Sequence, residues 1–203
     1  MRKELMNQLL HIDSSVQGDQ SVSRRLTARA VQRWRDTHPE GSVVYRDLAS
    51  NPIPHLGDVT SPALTAELIG EIKRADTVVL GLPLYNFGPP STVKAWVDHI
   101  VAPGLSIDAE TGAGLLGDTE FVVLESRGGG YGPGTPREGW DHAESWLPHA
   151  VSMTGLSPRL IVAELTMADV NPAMAELKPL AAASLNQAFE AIDALWEVGE
   201  NAA

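Results

Sequence analysis

Three short stretches of this sequence gather chemically capable side chains among glycines and aromatics. The first is "LLHIDSSVQGDQSVSRRL" (9–26), where an apolar run meets two serines, a polar loop and a Ser-x-Ser pair. Ser14, Ser15, Ser21 and Ser23 thus surround what reads as a strand-to-helix turn, with almost no positive charge inside it. Serine hydroxyls are compact donors, and a helix N-terminus adds free N–H groups and the positive end of the helix dipole. Together they suit a phosphate. Ser21 or Ser23 alone would be read as an N-cap; the set points to an anion.

The second stretch, "PLYNFG" (83–88), places Tyr85, Asn86 and Phe87 directly after a strand. A flat aromatic ligand needs apolar faces and amide groups at its edge, although an aromatic turn plugging the core would look the same. The third, "SRGGGYGPG" (126–134), lets backbone approach something closely, since glycine has no side chain; a flexible loop is the rival reading.

Other chemistries are excluded or disfavoured. The first loop lacks the G-x-G-x-x-G dinucleotide pattern, and no Gly-Lys-Ser/Thr phosphate loop occurs anywhere. No G-x-S-x-G nucleophile elbow is present. With no cysteine there is no thiolate and no disulfide. His142 and His149 stand outside any H-E-x-x-H context, so no metal site is expected.

Elements that could position these stretches alternate along the chain. Strands are expected at 8–13, 42–48, 76–83, 119–126 and 159–165, and helices at 22–38, 61–75, 89–101, within 136–155, and from 171 to about 195. Ser61 reads as an N-cap with Pro62 behind it, Gly155 as a helix stop, and Pro179 as a kink inside the last helix. "DTVVLGLP" is the uninterrupted apolar run of a strand buried on both faces. Five strand–helix alternations predict a single α/β domain over 1–203: a doubly wound, five-stranded parallel sheet in the order 2-1-3-4-5, with helices on both faces. Ligands of such sheets sit beyond the carboxyl ends of the strands, where all three stretches fall. The 102–118 insertion is long enough to be a lid.

The 203 residues are 43% hydrophobic and 20% charged, ordinary for a globular protein, and carry a net charge of −11. Nucleic acid and anionic membranes would want a basic face, so neither is an expected partner. No apolar run approaches the roughly 20 residues of a membrane span, and "MRKELMNQLL" does not read as a secretory signal. The cytoplasm is the expected location.

The ordered set of Ser15, Ser21-Val22-Ser23, "PLYNF" and "ESRGG" resembles the FMN-dependent NADH-azoreductase (NADH:quinone oxidoreductase) family, of flavodoxin-like fold. "DLASNPIPHL" and "YNFGPPSTVKAWVDHI" are also similar to that family, so the resemblance covers nearly the whole chain. It implies FMN contacts at Ser15, at Ser21, Val22 and Ser23, at Leu84, Tyr85, Asn86 and Phe87, and at Ser126, Arg127, Gly128 and Gly129. It implies two-electron transfer from NADH or NADPH to quinones and azo compounds. It further implies a homodimer with active sites at the interface, for which Trp96, His99 and Trp140 are candidate contacts.

Two departures stand out. Where the family often carries lid aromatics this chain has "LSIDAETG", with Asp108 in place of a stacking ring. Where the family often has a histidine after S-R-G-G, the chain has "GYGPG", so Tyr131 joins Asn86 as a candidate contact at the flavin's polar edge. The flavin carries the chemistry in such enzymes, so no side-chain nucleophile is expected. An FMN-binding, flavodoxin-like carrier or regulatory module that does not itself oxidise NADH remains the alternative.

Overall fold

The computed structural model describes residues 7–57 and 62–196, so the expected N-cap Ser61 and the first six residues lie outside the described residues. Five strands, β1 (Gln8–Asp13), β2 (Ser42–Asp47), β3 (Thr77–Pro83), β4 (Glu120–Ser126) and β5 (Pro158–Ala163), alternate with α1 (Val22–Thr37), α2 (Pro62–Arg74), α3 (Ser91–Ile100), α4 (Ala143–Val151) and α5 (Lys178–Asp193). The strands form one sheet in the order β2-β1-β3-β4-β5, every pair parallel. This is the doubly wound arrangement the alternation predicts.

β3 is central, and all seven of its residues are buried. On one face α1 and α5 pack Leu26, Trp34 and Ile192 against Val79 and Val122. On the other, α2, α3 and α4 pack Leu68, Trp96 and Leu147 against Leu80 and Val123. α1 crosses β3 at Gly81, where an added Cβ would stand 2.9 Å from Thr27 Cγ2 and 3.0 Å from Asp13 Oδ1. The missing side chain lets helix and strand close on each other.

The helix expected within 136–155 is α4, which starts at Ala143, where the Asp141 carboxylate accepts the N–H groups of Ala143 (2.8 Å) and Glu144 (3.0 Å), and the segment ends at Gly155 in left-handed backbone. Several expectations need correction. Pro179 does not kink a helix. A 3-10 segment (Pro172–Leu177) comes first, and Pro179 sits in the opening turn of α5, where its missing N–H removes no bond. β5 stops at Ala163, and Leu165 just beyond takes a left-handed φ of 60°.

The 102–118 insertion is not a lid over this chain's own site. It connects α3 to the start of β4, at the amino-terminal edge of the sheet, and is fixed there by Leu116 N–H to the Thr154 carbonyl (2.9 Å) and Lys73 Nζ to the Leu105 carbonyl (2.6 Å). Asp108 organises its own exposed turn, accepting from Thr111 N–H and Oγ1 (both 2.8 Å). Trp96 and His99 are likewise unavailable as dimer contacts, both being fully buried within this chain. His99 Nε2 donates to the Pro54 carbonyl (3.0 Å), which leaves Nδ1 to accept from Thr65 Oγ1 (2.9 Å). Trp140 stays half exposed.

Substituting Gly81→Ala should lower stability by about 1–3 kcal/mol, the scale of overpacking a tight interior, as measured by urea denaturation. An unchanged midpoint would show that α1 and β3 can separate freely.

Candidate functional site

β3 and β4 stop at the same level, Pro83 standing opposite Ser126. Leu84 N–H then donates to the Ser126 carbonyl at 2.9 Å, carrying the ladder one step past the strands. Tyr85 and Gly88 exchange both backbone bonds (2.9 and 3.1 Å) across a tight turn, with Asn86 and Phe87 at φ of 50° and 67°. Left-handed backbone outside glycine costs on the order of 1–3 kcal/mol and persists only where surroundings enforce it. Here the Phe87 carbonyl accepts from His142 N–H (2.9 Å), and its ring meets Tyr131 (centroids 6.0 Å) and Trp140 (5.1 Å) edge-on.

The serine loop joins this turn through Tyr85. The Tyr85 hydroxyl lies 3.2 Å from Ser15 Oγ and accepts from Val16 N–H at 3.2 Å. Ser21 caps α1, accepting from Arg24 N–H (3.3 Å), and its hydroxyl lies 3.0 Å from Ser23 Oγ. The N–H groups of Val22 and Ser23, first in a 16-residue helix, make no hydrogen bond among the described residues. Both readings of the serines therefore hold together: Ser21 is a cap, and the loop still presents open donors at the positive end of a helix. Ser14 is structural, donating to the Gly81 carbonyl at 2.6 Å.

Arg24 lies in the same helix turn but is occupied. It pairs with both Asp47 oxygens (2.9 Å each), with Asp13 (3.3 Å) and with the Ser15 carbonyl (2.8 Å). Burial alone would lower its pKa; the hydrogen bonds to Asp47 and the two negative charges hold it above the ordinary value.

A cavity of ≈ 300 Å³ opens between the second and third stretches, lined by Leu84, Asn86, Phe87, Gly128, Gly129 and Tyr131. Tyr85 and Ser126 are not in its lining. Val22 opens instead onto a smaller cavity of ≈ 130 Å³, beside Arg25 and Lys178. What crowds the glycines is the chain's own side chains: a Cβ on Gly128 would meet Met167 Cγ at 2.9 Å, and one on Gly129 the Tyr131 hydroxyl at 3.4 Å. Sequence reasoning missed the rest of the wall, namely Arg137, Met167, Asn171 and Met174. Arg137 stands over the Phe87 ring, 5.7 Å from its centroid; an Arg three residues beyond a Gly/Pro-rich loop was the available signal.

The model of the family described as flavodoxin-like fold matches residues 7–190. The chain belongs to that family. Among curated flavodoxin-like relatives, a Streptomyces coelicolor protein named FMN-dependent NADH:quinone oxidoreductase is 42% identical, across 96% of this chain and 96% of its own length. A Frankia alni protein of the same name is 40% identical over 84% of this chain and 90% of its own. Among solved structures, an azoreductase from Bacillus anthracis superposes with a TM-score of 0.77 at 21% identity, covering 93% of this chain and 99% of that one. An FMN-dependent NADH-azoreductase from Bacillus anthracis, solved in complex with FMN, gives 0.74 at 19% identity over 92% and 98%.

In this flavodoxin-like chain the Arg127 side chain does not face the cavity. The guanidinium is buried and meets four carboxylates: Asp141 through Nε (2.6 Å), Glu164 (3.0 Å), Glu125 (3.3 Å) and Glu144 (2.6 Å). Its N–H donates to the Ala163 carbonyl and its own carbonyl accepts from Thr166, so the residue is engaged throughout. Burial opposes its charge, but the carboxylates outweigh that and raise its pKa. "LES-R" was the missed signal: a glutamate at the end of a buried apolar strand needs a partner.

Replacing Arg127 by Met should destabilise the fold by about 3–5 kcal/mol, because Glu125 and Asp141 would lose their buried counter-charge. Chemical denaturation at neutral pH checks this. Wild-type stability in the variant would show that the cluster is not held by its cation.

Proposed function

We propose that this chain is an FMN-dependent oxidoreductase that passes two electrons from NADH or NADPH to quinones, and to azo compounds, as a cytoplasmic homodimer. The observation that carries the reading is the junction of two sites through one residue. Tyr85 ties the start of the serine loop, which leads into the donor-rich N-terminus of α1, to the turn that walls an aromatic-lined cavity. A phosphate-bearing, flat ring system needs that pair of sites side by side. Among the described residues, no helix is long and apolar enough to cross a membrane.

The residues present fit FMN. Ser21 and Ser23 are buried with hydroxyls bonded to each other, so either can turn toward a phosphate, which the open N–H groups of α1 would also hold. Ser15 closes the loop beside Tyr85. Leu84, Phe87 and the two methionines of the wall give apolar faces, while Asn86 and the Gly128–Gly129 backbone give a polar edge. When bound, FMN supplies the hydride chemistry, accepting and giving up electrons in pairs. The protein orients and shields: Phe87, wedged by Tyr131 and Trp140, is a stiff wall that excludes water from one side. Asn86 is held in strained backbone where its amide lines the cavity.

One opening serves donor and acceptor, so each excludes the other and turnover is ping-pong. Because the 102–118 insertion lies at the far edge of its own sheet, only a second copy of the chain can bring it to this cavity. Asp108→Tyr therefore acts on the acceptor through the partner subunit or not at all.

Two tests follow. Purified protein loaded with FMN should oxidise NADH when quinone is added, with parallel lines in double-reciprocal plots. NADH left unconsumed would instead favour the carrier reading, and intersecting lines would refute the single shared opening. Replacing both Ser21 and Ser23 by Ala should weaken FMN binding by about 1–3 kcal/mol, the scale of hydrogen bonds to a charged group. Unchanged affinity in a folded variant would place the phosphate elsewhere.

A further inference from the structure

Behind the cavity wall lies a charge count that does not balance. Glu125 and Arg127 extend from β4, and Asp141 stands just before α4; all three are buried, at 0%, 5% and 9% exposure. Glu164, just past β5, and Glu144, in the first turn of α4, complete the set but reach water, at 30% and 58% side-chain exposure. The buried trio holds one cation and two carboxyls. It is neutral only if one carboxyl keeps a proton, and an isolated charge in such a place is strongly disfavoured.

The geometry points to Glu125 as its holder. Asp141 already accepts two N–H groups at the head of α4 and meets Arg127 Nε at 2.6 Å. Glu125 has only a longer contact to Arg127 (3.3 Å), and its Oε1 is buried without a partner. The two carboxyls lie within hydrogen-bonding reach of each other, so a protonated Glu125 donates to Asp141. Burial first, then the Asp141 contact, push Glu125 up to about 8 against the pull of Arg127.

We propose that one proton, held between Glu125 and Asp141, pins the outer wall of the cavity, and that its loss in alkaline solution releases residues 131–142. Glu125 sits in a central strand and cannot retreat. Asp141 ends an irregular segment that carries Tyr131, Arg137 and Trp140. Apart from Arg127, that segment is joined to the head of α4 by Asp141 and by Trp146 N–H to the His142 carbonyl, and to the rest of the wall by His142 N–H to the Phe87 carbonyl, a long contact from Tyr131 N–H to Glu164 (3.4 Å) and aromatic edges on Phe87. When Glu125 ionises, like charges face each other out of water, and the segment that moves is the one bearing Asp141. Glu125 is thus a positioning residue. The sign follows from linkage: a carboxyl raised in the folded state keeps a proton the unfolded chain has lost, so stability falls as pH rises toward 8.

The inference extends the FMN reading, yet the wall can be followed without flavin. Amide hydrogen exchange of 131–142, corrected for intrinsic rates, should accelerate at least tenfold in the wild type between pH 7 and 9.5, while β4 stays protected. Glu125→Gln keeps the hydrogen bond without the charge and should abolish the step. Asp141→Asn leaves Glu125 paired with Arg127 alone and should abolish it too, which preserves the test if the first variant does not fold. FMN affinity should fall over the same range in the wild type and stay level in E125Q. No acceleration in the wild type, or an equal one in E125Q, overturns the proposal. Accelerated exchange with no FMN binding at any pH would leave the wall mechanism standing and sink the flavin reading.

Discussion

The site hangs on the hydrogen bond by which Leu84 N–H reaches the Ser126 carbonyl, one residue beyond the paired strands. Parallel strands in register end together only if the ladder is continued to the same level. That single bond makes the turn after β3 and the glycine run after β4 leave the sheet side by side. Between them lies the cavity at 84–87 and 128–131, while the left-handed backbone at Asn86 and Phe87 is held by the Tyr85–Gly88 turn and by His142 N–H on the Phe87 carbonyl. Tyr85 then extends the arrangement to β1 by bonding into the serine loop.

Charge is distributed to the same end. The chain is strongly acidic, yet it sets two guanidiniums near the carboxyl edge, Arg127 buried and Arg24 half-buried, and satisfies each with carboxylates. Arg24 locks α1 to β1 and β2 through Asp13 and Asp47. Arg127 locks the loops after β4 and β5 to the head of α4. Both cations therefore brace the architecture, and an anion at the serine loop must rely on hydroxyls, N–H groups and the α1 dipole. Arg137, over the Phe87 ring, is the cation in the cavity lining.

Much of this was legible in the sequence. The strands were readable because most of them are apolar runs between turn residues, and their alternation with helices implies a parallel sheet. The three stretches were correctly sent to one sheet edge. The errors have physical causes. Pro179 was read as a kink inside one long helix, whereas a 3-10 segment precedes it and places it in the opening turn of α5. The insertion at 102–118 was read by length alone, whereas a helix-to-strand connection in a parallel sheet must return to the amino-terminal edge. Arg127 was placed by resemblance with the flavin contacts; its partners come from residues 125, 141, 144 and 164, a convergence that only the fold creates.

The central claim is that this edge holds a phosphate through α1 and a flat ring in the cavity. Affinity measured in parallel for FMN and for riboflavin, which differ only in the phosphate, tests it most directly. Charge-assisted hydrogen bonds are worth roughly 1.5–3 kcal/mol each. Two or more of them should make FMN bind at least a hundredfold more tightly than riboflavin. Equal affinities, or no binding of either, would contradict the account.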